Sequence, residues 1–349
     1  MTSVPSPAPV PSPALARSPA LVRPGAPARR MRALRPAVLG VALAVTLTAC
    51  GSSSGTAGGS RDKSTSTRVV STAHGKVTVP AHPLRIVSVH SWSTESLFDL
   101  GLKPVGVENS GANYVPPRYL KGWKATAKVT TGADIDYEKI ASLKPDLIVG
   151  VDVPYLSKAY EKLSAIAPTA FSSFGENSGW TEFPDATAAF VNRTARLATL
   201  KKEYADRITA VRNAHRSALA KSRWDVVQGG FDNGNYWIYG PGSAVGEILG
   251  KLGVRFASAT ASVAAGDTKS VSYERADLLK DADYVIYYTN NDGSPANNIQ
   301  KLFGLKTFKS LPAAKNGHLV GTADFLPGSY RDALGVVDSI ETALKAKRG

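Results

Sequence analysis

The feature that most constrains the fold is a long stretch of chain without glycine. After Pro184 the sequence runs to about Lys221 with no glycine and no further proline. Apolar residues recur in it at helical spacing: Ala188, Val191, Ala195, Leu197, Leu200, Tyr204, Ile208 and Val211. This spacing predicts one helix over 184–221, about 35 residues and about 50 Å long. A helical hairpin is the alternative, because Asn192 and Asn213 are turn-prone residues inside the stretch.

Strands alternate with helices on both sides of this stretch. Before it, we predict strands at 85–89, 104–107 and 146–149, helices at 135–143 and 155–166, and a helix that Ser93 or Thr94 caps and Gly101 ends. After it, we predict strands at 225–227, 236–239 and 284–287, a turn at 232–234, and helices at 244–252 and 334–346. Such alternation indicates parallel sheets with helices on both faces.

The two halves also share a phrase. Tyr137-Glu138-Lys139, which precedes the strand at 146–149, matches Tyr273-Glu274-Arg275, which precedes the strand at 284–287. Equivalent segments in two halves indicate pseudo-symmetric lobes with a cleft between them. A shared helix-to-strand preference is the alternative explanation.

The N-terminal segment is typical of export. A short basic stretch, 31–35, is followed by an apolar run, 37–47, that is too short to span a bilayer. The run ends in Leu47-Thr48-Ala49-Cys50, which resembles the bacterial lipobox, and Cys50 is the only cysteine in the chain. We therefore predict that Cys50 is lipidated and becomes the mature N-terminus. The Gly/Ser/Thr-rich residues that follow are typical of a flexible tether.

The predicted fold class is α/β, with two three-layer lobes of mainly parallel sheet joined by one long rigid helix. The predicted domain limits are a signal segment 1–49, the lipidated cysteine and tether 50–67, an N-terminal lobe 68–183, the linking helix 184–221 and a C-terminal lobe 222–349.

The net charge of +14 is unevenly spread, because residues 1–49 hold six arginines and no acidic residue. The remaining excess suits a protein near anionic lipid or one that binds an anionic ligand, although a dispersed basic surface also serves solubility alone. Nucleic-acid binding is disfavoured, because the basic residues are dispersed and the chain is predicted to be exported.

Phrases on both sides of the long stretch resemble the solute-binding proteins of iron-siderophore and cobalamin ABC importers. The matching segments are 83–87, 95–107, 137–148, 240–243 and Glu274. The resemblance runs from about Val69 to the C-terminus. It implies a monomer anchored by lipid to the outer face of the cytoplasmic membrane, which captures a ferric siderophore and delivers it to an ABC permease dimer with its ATPase. It implies no cofactor, since the siderophore carries the iron.

The resemblance also implies a docking role for one glutamate on each lobe. The matching positions are Glu138 and Glu274, each near the start of its helix. In the family such glutamates contact permease arginines, and two charged contacts would fix the orientation of docking. An acidic residue in the first turn of a helix also stabilises that helix without any partner.

Ligand contacts are predicted from chemistry, since ligands of open α/β sheets lie at the carboxyl ends of strands. Aromatic walls with a few Arg or Tyr donors would match a compact ferric siderophore. The candidates are Trp92, Tyr114, Arg118, Trp237, Tyr330 and Arg331. For Arg331, pairing with Asp324, Asp332 or another nearby acid is the alternative. Phe325, Tyr239 and Tyr288 are expected to pack in the core.

Other functions fit the sequence less well. Direct capture of a transition metal would need convergent histidines and carboxylates, but the five histidines are scattered. This alternative stays open only because His90 follows a strand end. An enzyme is disfavoured, because the chain has no Gly-x-Ser-x-Gly elbow, no phosphate loop and no catalytic cysteine. A haem or cobalamin carrier, or a surface sensor or adhesin of the same fold, stays open. So does the siderophore class: hydroxamate, catecholate or mixed.

Overall fold

The computed structural model describes residues 66–175, 179–230 and 234–346. The signal segment 1–49, Cys50 and the tether up to residue 65 lie outside the described residues, as do Asp232 and Asn233 of the predicted turn. The predicted lobe limits stay predictions.

The N-terminal lobe is built around a parallel sheet. Its elements are β1 (Thr67–Thr72), β2 (Gly75–Pro80), β3 (Ile86–Ser88), α1 (Ser91–Asp99), β4 (Gly106–Val107), a 3-10 helix (Ala112–Tyr114), α2 (Pro117–Ala125), β5 (Ala127–Lys128), β6 (Thr130–Thr131), β7 (Asp134–Ile135), α3 (Tyr137–Ser142), β8 (Leu147–Val151), α4 (Pro154–Ser157), α5 (Tyr160–Ser164) and β9 (Thr169–Ser172). The sheet has the order β5-β4-β3-β8-β9 with parallel neighbours. The pairs β1–β2 and β6–β7 are antiparallel.

Helices cover both faces of this sheet. Leu147 of β8 packs in a buried cluster with Leu97 of α1, whereas the next residue, Ile148, packs with Ile140 of α3 and Leu163 of α5. Successive side chains of a strand point to opposite faces, so a strand buried on both faces is apolar throughout. This is why β8 has an unbroken apolar sequence.

The predicted helix limits in this lobe need three corrections. The cap of α1 is His90, whose Nδ1 accepts the Trp92 N–H at 3.3 Å, and Ser93 and Thr94 lie inside the helix. The helix predicted at 135–143 is the shorter α3. The helix predicted at 155–166 is divided into α4 and α5.

The single helix predicted over 184–221 is also wrong, because the structure has two helices there. These are α6 (Glu182–Phe190) and α7 (Thr194–Lys221). The break lies at Asn192, whose φ of +55° is left-handed, a conformation that asparagine tolerates better than most residues. The linking helix is therefore α7, with 28 residues and a non-helical backbone at His215.

The C-terminal lobe contains a mixed sheet. Its elements are β10 (Arg223–Gly229), β11 (Asn235–Tyr239), α8 (Ala244–Leu252), β12 (Arg255–Phe256), α9 (Ser258–Ala261), β13 (Thr268–Ser272), a 3-10 helix (Tyr273–Leu279), β14 (Tyr284–Tyr288), α10 (Gln300–Gly304), α11 (Lys306–Lys309), α12 (Pro312–Lys315), β15 (Leu319–Thr322) and α13 (Tyr330–Ala346). The order is β13-β11-β10-β14-β15, with β12 also paired to β10. The strands β10, β12, β14 and β15 are parallel, and β11 is antiparallel to both β10 and β13.

The last helix joins the two lobes. It begins at Tyr330, four residues before the predicted start, and packs against α7 and α1. Gly335 lies in its interior, where a Cβ would come within 1.8 Å of Asp324 Oδ2. A glycine inside a helix costs about 1 kcal/mol relative to alanine, and here it leaves room for a buried charged group.

Candidate ligand-binding cleft

A cleft lies where the carboxyl ends of strands from the two lobes face each other. Glu108 follows β4, Tyr288 ends β14, and the segment after β15 carries Asp324 and Leu326. The cleft holds about 390 Å³ of space, part of it open to solvent. Its lining combines α1, the segment before α2 and three C-terminal segments: Ser91, Trp92, Glu95, Ser110, Tyr114, Pro116, Tyr288, Ala323, Asp324, Leu326 and Asp332.

Trp92 and Tyr114, two of the predicted ligand contacts, do line this cleft. Trp92 stacks on Phe183 with ring centroids 4.4 Å apart, and its Nε1 donates to the Leu326 carbonyl at 3.1 Å. Tyr114 is 41% exposed and its hydroxyl donates to Asn297 Oδ1 at 3.2 Å. Each of these two side chains thus belongs to the N-terminal lobe and forms a hydrogen bond with a residue of the C-terminal lobe.

Arg118, a third predicted contact, is engaged by two acids of the other lobe. Its guanidinium donates to Asp324 Oδ2 at 2.7 Å and to Asp332 Oδ1 at 2.7 Å. Both acids are buried, and burial raises the pKa of Asp332 to about 7. The fork geometry of arginine suits this two-acid contact, which joins α2 to the C-terminal lobe.

Arg331 faces Asp99, at the end of α1. Its backbone N–H donates to Asp99 Oδ2 at 3.0 Å, and its guanidinium Nε lies 3.9 Å from Asp99 Oδ1. Tyr119 also donates to Asp99, at 2.7 Å, and contacts Ser329 at 2.9 Å. The alternative stated for Arg331, an ion pair with a nearby acid, therefore matches its position, although the acid is neither Asp324 nor Asp332.

Tyr330 and Trp237 do not line the cleft. Tyr330 is 5% exposed and packs edge-on against Trp180 and Tyr204, so it belongs to the core. Trp237 lies within β11, paired in register with Gln228 of β10 and Ser270 of β13. Phe325, Tyr239 and Tyr288 pack against one another, as expected, with Tyr288 also reaching the cleft.

The sequence did not single out Glu95, which lies on the α1 side of the cleft. Its side chain is nearly buried and its Oε2 has no hydrogen-bond partner among the described residues. Burial, together with the nearby Asp332 carboxylate, raises the pKa of Glu95 well above its usual value. Its position within the matched segment 95–107 was the only available signal, and that segment indicated the fold rather than a site.

Glu108 is a second buried acid that sequence reasoning missed. Thr94 Oγ1 donates to its Oε2, and Ser110 Oγ donates to its Oε1 at 3.3 Å. Burial raises the pKa of Glu108 to about 7. Its location directly after β4, at a strand's carboxyl end, was the signal that could have found it.

Histidines do not converge on the cleft. His90 caps α1, and burial lowers its pKa to about 4, so it is neutral at pH 7. Across the described ranges, no three His, Cys, Asp or Glu side chains are arranged to hold a metal ion.

Glu138 and Glu274 lie in equivalent positions on the two lobes. Both are exposed, and each is in the first turn of the helix that precedes a central strand, β8 or β14. Asp136 and Ser272 cap these turns by accepting backbone N–H groups. The shared phrase in the sequence therefore corresponds to a shared local structure.

Comparison with known proteins now adds to this geometry. A family model described as periplasmic binding protein matches residues 86–324. The chain belongs to this family. The predicted resemblance and the α/β fold with two lobes and a long linking helix are thereby confirmed.

Members with assigned names support the same relationship. The "Putative ABC transporter substrate-binding lipoprotein YhfQ" of Bacillus subtilis is 30% identical over 288 residues, covering 79% of this chain and 86% of YhfQ. The "Probable siderophore-binding lipoprotein YfiY" of the same organism is 30% identical over 311 residues, covering 85% and 94%. The siderophore periplasmic binding protein from the fuscachelin gene cluster of Thermobifida fusca superposes with a TM-score of 0.68 at 29% identity, covering 77% of this chain and 98% of that one.

Proposed function

We propose that this protein captures a ferric siderophore outside the cell and delivers it to an ABC-type importer for iron uptake. The observation that carries the proposal is the cleft at the carboxyl ends of strands from both lobes, with Trp92 and Tyr114 on its wall. Family membership and the names of the relatives support it. The siderophore would carry the iron, and no cofactor or catalytic step is needed.

Tryptophan fluorescence provides the test. Trp92 lines the cleft, whereas Trp224 is fully buried and stacks on Tyr284, away from it. A ferric siderophore that binds in the cleft should quench Trp92, and a Trp92→Phe variant should lose most of this quenching. The panel should hold ferric hydroxamates, ferric catecholates, haem and cobalamin. Saturable quenching by haem or cobalamin alone, or by no member, would contradict the proposal.

Anchoring at Cys50 is part of the proposal, with the protein at the outer face of the cytoplasmic membrane. No helix in the described part of the chain is long and apolar enough to cross a bilayer. Cys50→Ala should release the protein into the medium or leave its signal segment uncleaved. Membrane retention equal to that of the wild type would refute lipidation at this residue.

Delivery requires a membrane partner. We propose that Glu138 and Glu274, exposed at equivalent positions, contact basic residues of a permease dimer that works with its ATPase. A single chain presents both glutamates, so the protein would act as a monomer.

A further inference from the structure

The cleft has an excess of acidic side chains. Glu95, Asp324 and Asp332 all belong to its lining, and no lysine, arginine or histidine does among the described residues. This is unexpected in a chain whose net charge is +14. The lining of the cleft thus differs from the whole chain, in which basic residues outnumber acidic ones.

Arg118 is the cation nearest to these acids, and its contacts are already accounted for. Nη1 donates to Asp332 and to Asp324, while Nη2 donates to Asp324. One guanidinium balances one negative charge, so one of these two acids remains uncompensated when both are ionised.

Glu95 has no cationic partner; the group beside it is the Asp332 carboxyl, and burial together with a hydrogen bond between the two acids raises the pKa of Glu95. It is 9% exposed, yet its Oε2 is buried without a hydrogen-bond partner among the described residues. A buried carboxylate oxygen without a donor is unfavourable by several kcal/mol when ionised. The backbone of Gly328 lies close to this oxygen, since a Cβ at Gly328 would come within 2.4 Å of it. A proton held between the carboxyls of Glu95 and Asp332 is therefore the donor that the described residues supply.

We propose that the cleft selects ferric siderophores that carry a cationic group, an ammonium or a guanidinium, which pairs with the Glu95 carboxylate. The inference rests on the proposed function and names its substrate class. A cationic N–H group would take the place of the proton held between Glu95 and Asp332 and would offset the negative charge that its loss leaves on these acids. Ferric complexes with a net negative charge would meet repulsion at the same place.

The protonation of Glu95 agrees with this assignment. Burial has the largest effect on the pKa of Glu95, which it raises, and the Asp332 carboxyl raises this pKa further. Glu108, Asp324 and the Tyr288 hydroxyl also face Glu95. The nearby cation is Arg118, which contacts Asp332. Glu95 therefore keeps its proton to a higher pH than an exposed glutamate does, and an incoming cation would displace that proton. Affinity for a cationic ligand should consequently rise with pH as the proton is lost.

The test compares two ligands that differ in one charge. Ferrioxamine B is a ferric tris-hydroxamate with a free ammonium arm, and N-acetylation of that arm removes its charge while leaving the iron centre unchanged. A ferric tris-catecholate serves as the anionic probe. Dissociation constants are measured by tryptophan quenching on the full-length protein at pH 6, 7 and 8.

We expect ferrioxamine B to bind at least about tenfold more tightly than its acetylated form at pH 8, as for other hydrogen bonds to charged groups. This ratio of affinities should become smaller as the pH is lowered from 8 to 6. Glu95→Gln should reduce the ratio at pH 8 to below about threefold, because it should weaken the binding of ferrioxamine B and leave that of the acetylated form unchanged. Glu161→Gln, which removes the same charge at an exposed position on α5, should leave it unchanged.

The remaining outcomes separate this inference from the proposed function. Equal binding of the two forms, or tighter binding of the acetylated form or of the anionic probe, overturns the cation preference while capture of a ferric siderophore stands. Failure of every ferric complex in the panel overturns the proposed function and this inference with it. The wild-type comparison does not depend on how well Glu95→Gln folds.

Discussion

Two exposed helix N-termini, one on each lobe, and the cleft between the lobes use the same chemical group in opposite ways. Glu138 and Glu274 are exposed carboxylates in the first turns of helices, where water and the helix N-terminus stabilise the charge. Glu95, Glu108, Asp324 and Asp332 are each at most 9% exposed. An exposed carboxylate has little effect on the free energy of folding and is available to a protein partner. Buried ones are unfavourable unless something pairs with them or they keep a proton.

This contrast indicates which carboxylates can change without harm to the fold. Removing an exposed carboxylate should affect contact with another protein, whereas disturbing the cleft acids or their partner should affect stability, pH dependence or ligand binding. The predictions below test this division.

The largest effect should come from Arg118, the partner of two buried acids. Arg118→Met would leave Asp324 and Asp332 without their shared cation and should destabilise the protein by about 3–5 kcal/mol. Lys202→Ala provides the control, because Lys202 and Asp206 form an exposed pair worth less than about 1 kcal/mol. Urea unfolding of both variants measures the difference. If both variants lost the same free energy of unfolding, the burial of Asp324 and Asp332 beside Arg118 would have no energetic consequence.

A smaller effect should appear in the pH dependence of stability. The pKa of Glu108 is raised to about 7 in the folded protein, so the folded state binds more protons than the unfolded state between about pH 4.5 and 7. Stability from this group is full below about pH 4.5 and is lost as pH rises through 7. Glu108→Gln should reduce the loss between pH 5 and 8 by about 1–3 kcal/mol.

The measurement is the unfolding free energy of the wild type, Glu108→Gln and Glu161→Gln across that pH range. Asp332, with a pKa of about 7, contributes a slope of the same sign, so the variant should flatten the curve without removing its slope. A slope unchanged by Glu108→Gln would show that Glu108 ionises alike in both states.

For the exposed carboxylates of Glu138 and Glu274, a substitution should affect iron uptake alone. Glu138→Lys or Glu274→Lys should impair iron uptake by cells severalfold, because each replaces an attraction with repulsion at the permease. Siderophore affinity of the purified variants should stay within about threefold, roughly 0.7 kcal/mol. Glu161→Lys, with the same change elsewhere on the surface, should support normal uptake. Weaker siderophore binding by either docking variant would place these glutamates in the ligand site instead.

The smallest effect is expected at Arg331. Its side chain is half-exposed and its nearest acid, Asp99, keeps the Arg331 backbone N–H in any variant. Arg331→Ala should therefore lower the free energy of unfolding by less than about 1 kcal/mol and leave ligand affinity unchanged. A tenfold loss of affinity with an unchanged Tm would restore Arg331 as a ligand contact.

Local patterns in the sequence were sufficient for the broad fold. The alternation of strands with helices predicted parallel sheets with helices on both faces, and the Tyr137 and Tyr273 phrases predicted equivalent segments in two lobes. Such features depend on residue spacing along the chain, which the sequence states directly. The break at Asn192 was foreseen only in the helical-hairpin alternative, because helical periodicity continued through it and a single turn-prone residue marked its position.

Tertiary structure alone decided the cleft. Glu95 and Asp332 lie 237 positions apart in the chain, and nothing near either residue indicates that folding brings them together. The sequence determined that aromatic and polar residues follow the strands, and Trp92 and Tyr114 among them do line the cleft. It did not determine that Arg118 would pair with Asp324 and Asp332, because burial and charge pairing arise only when the two lobes meet.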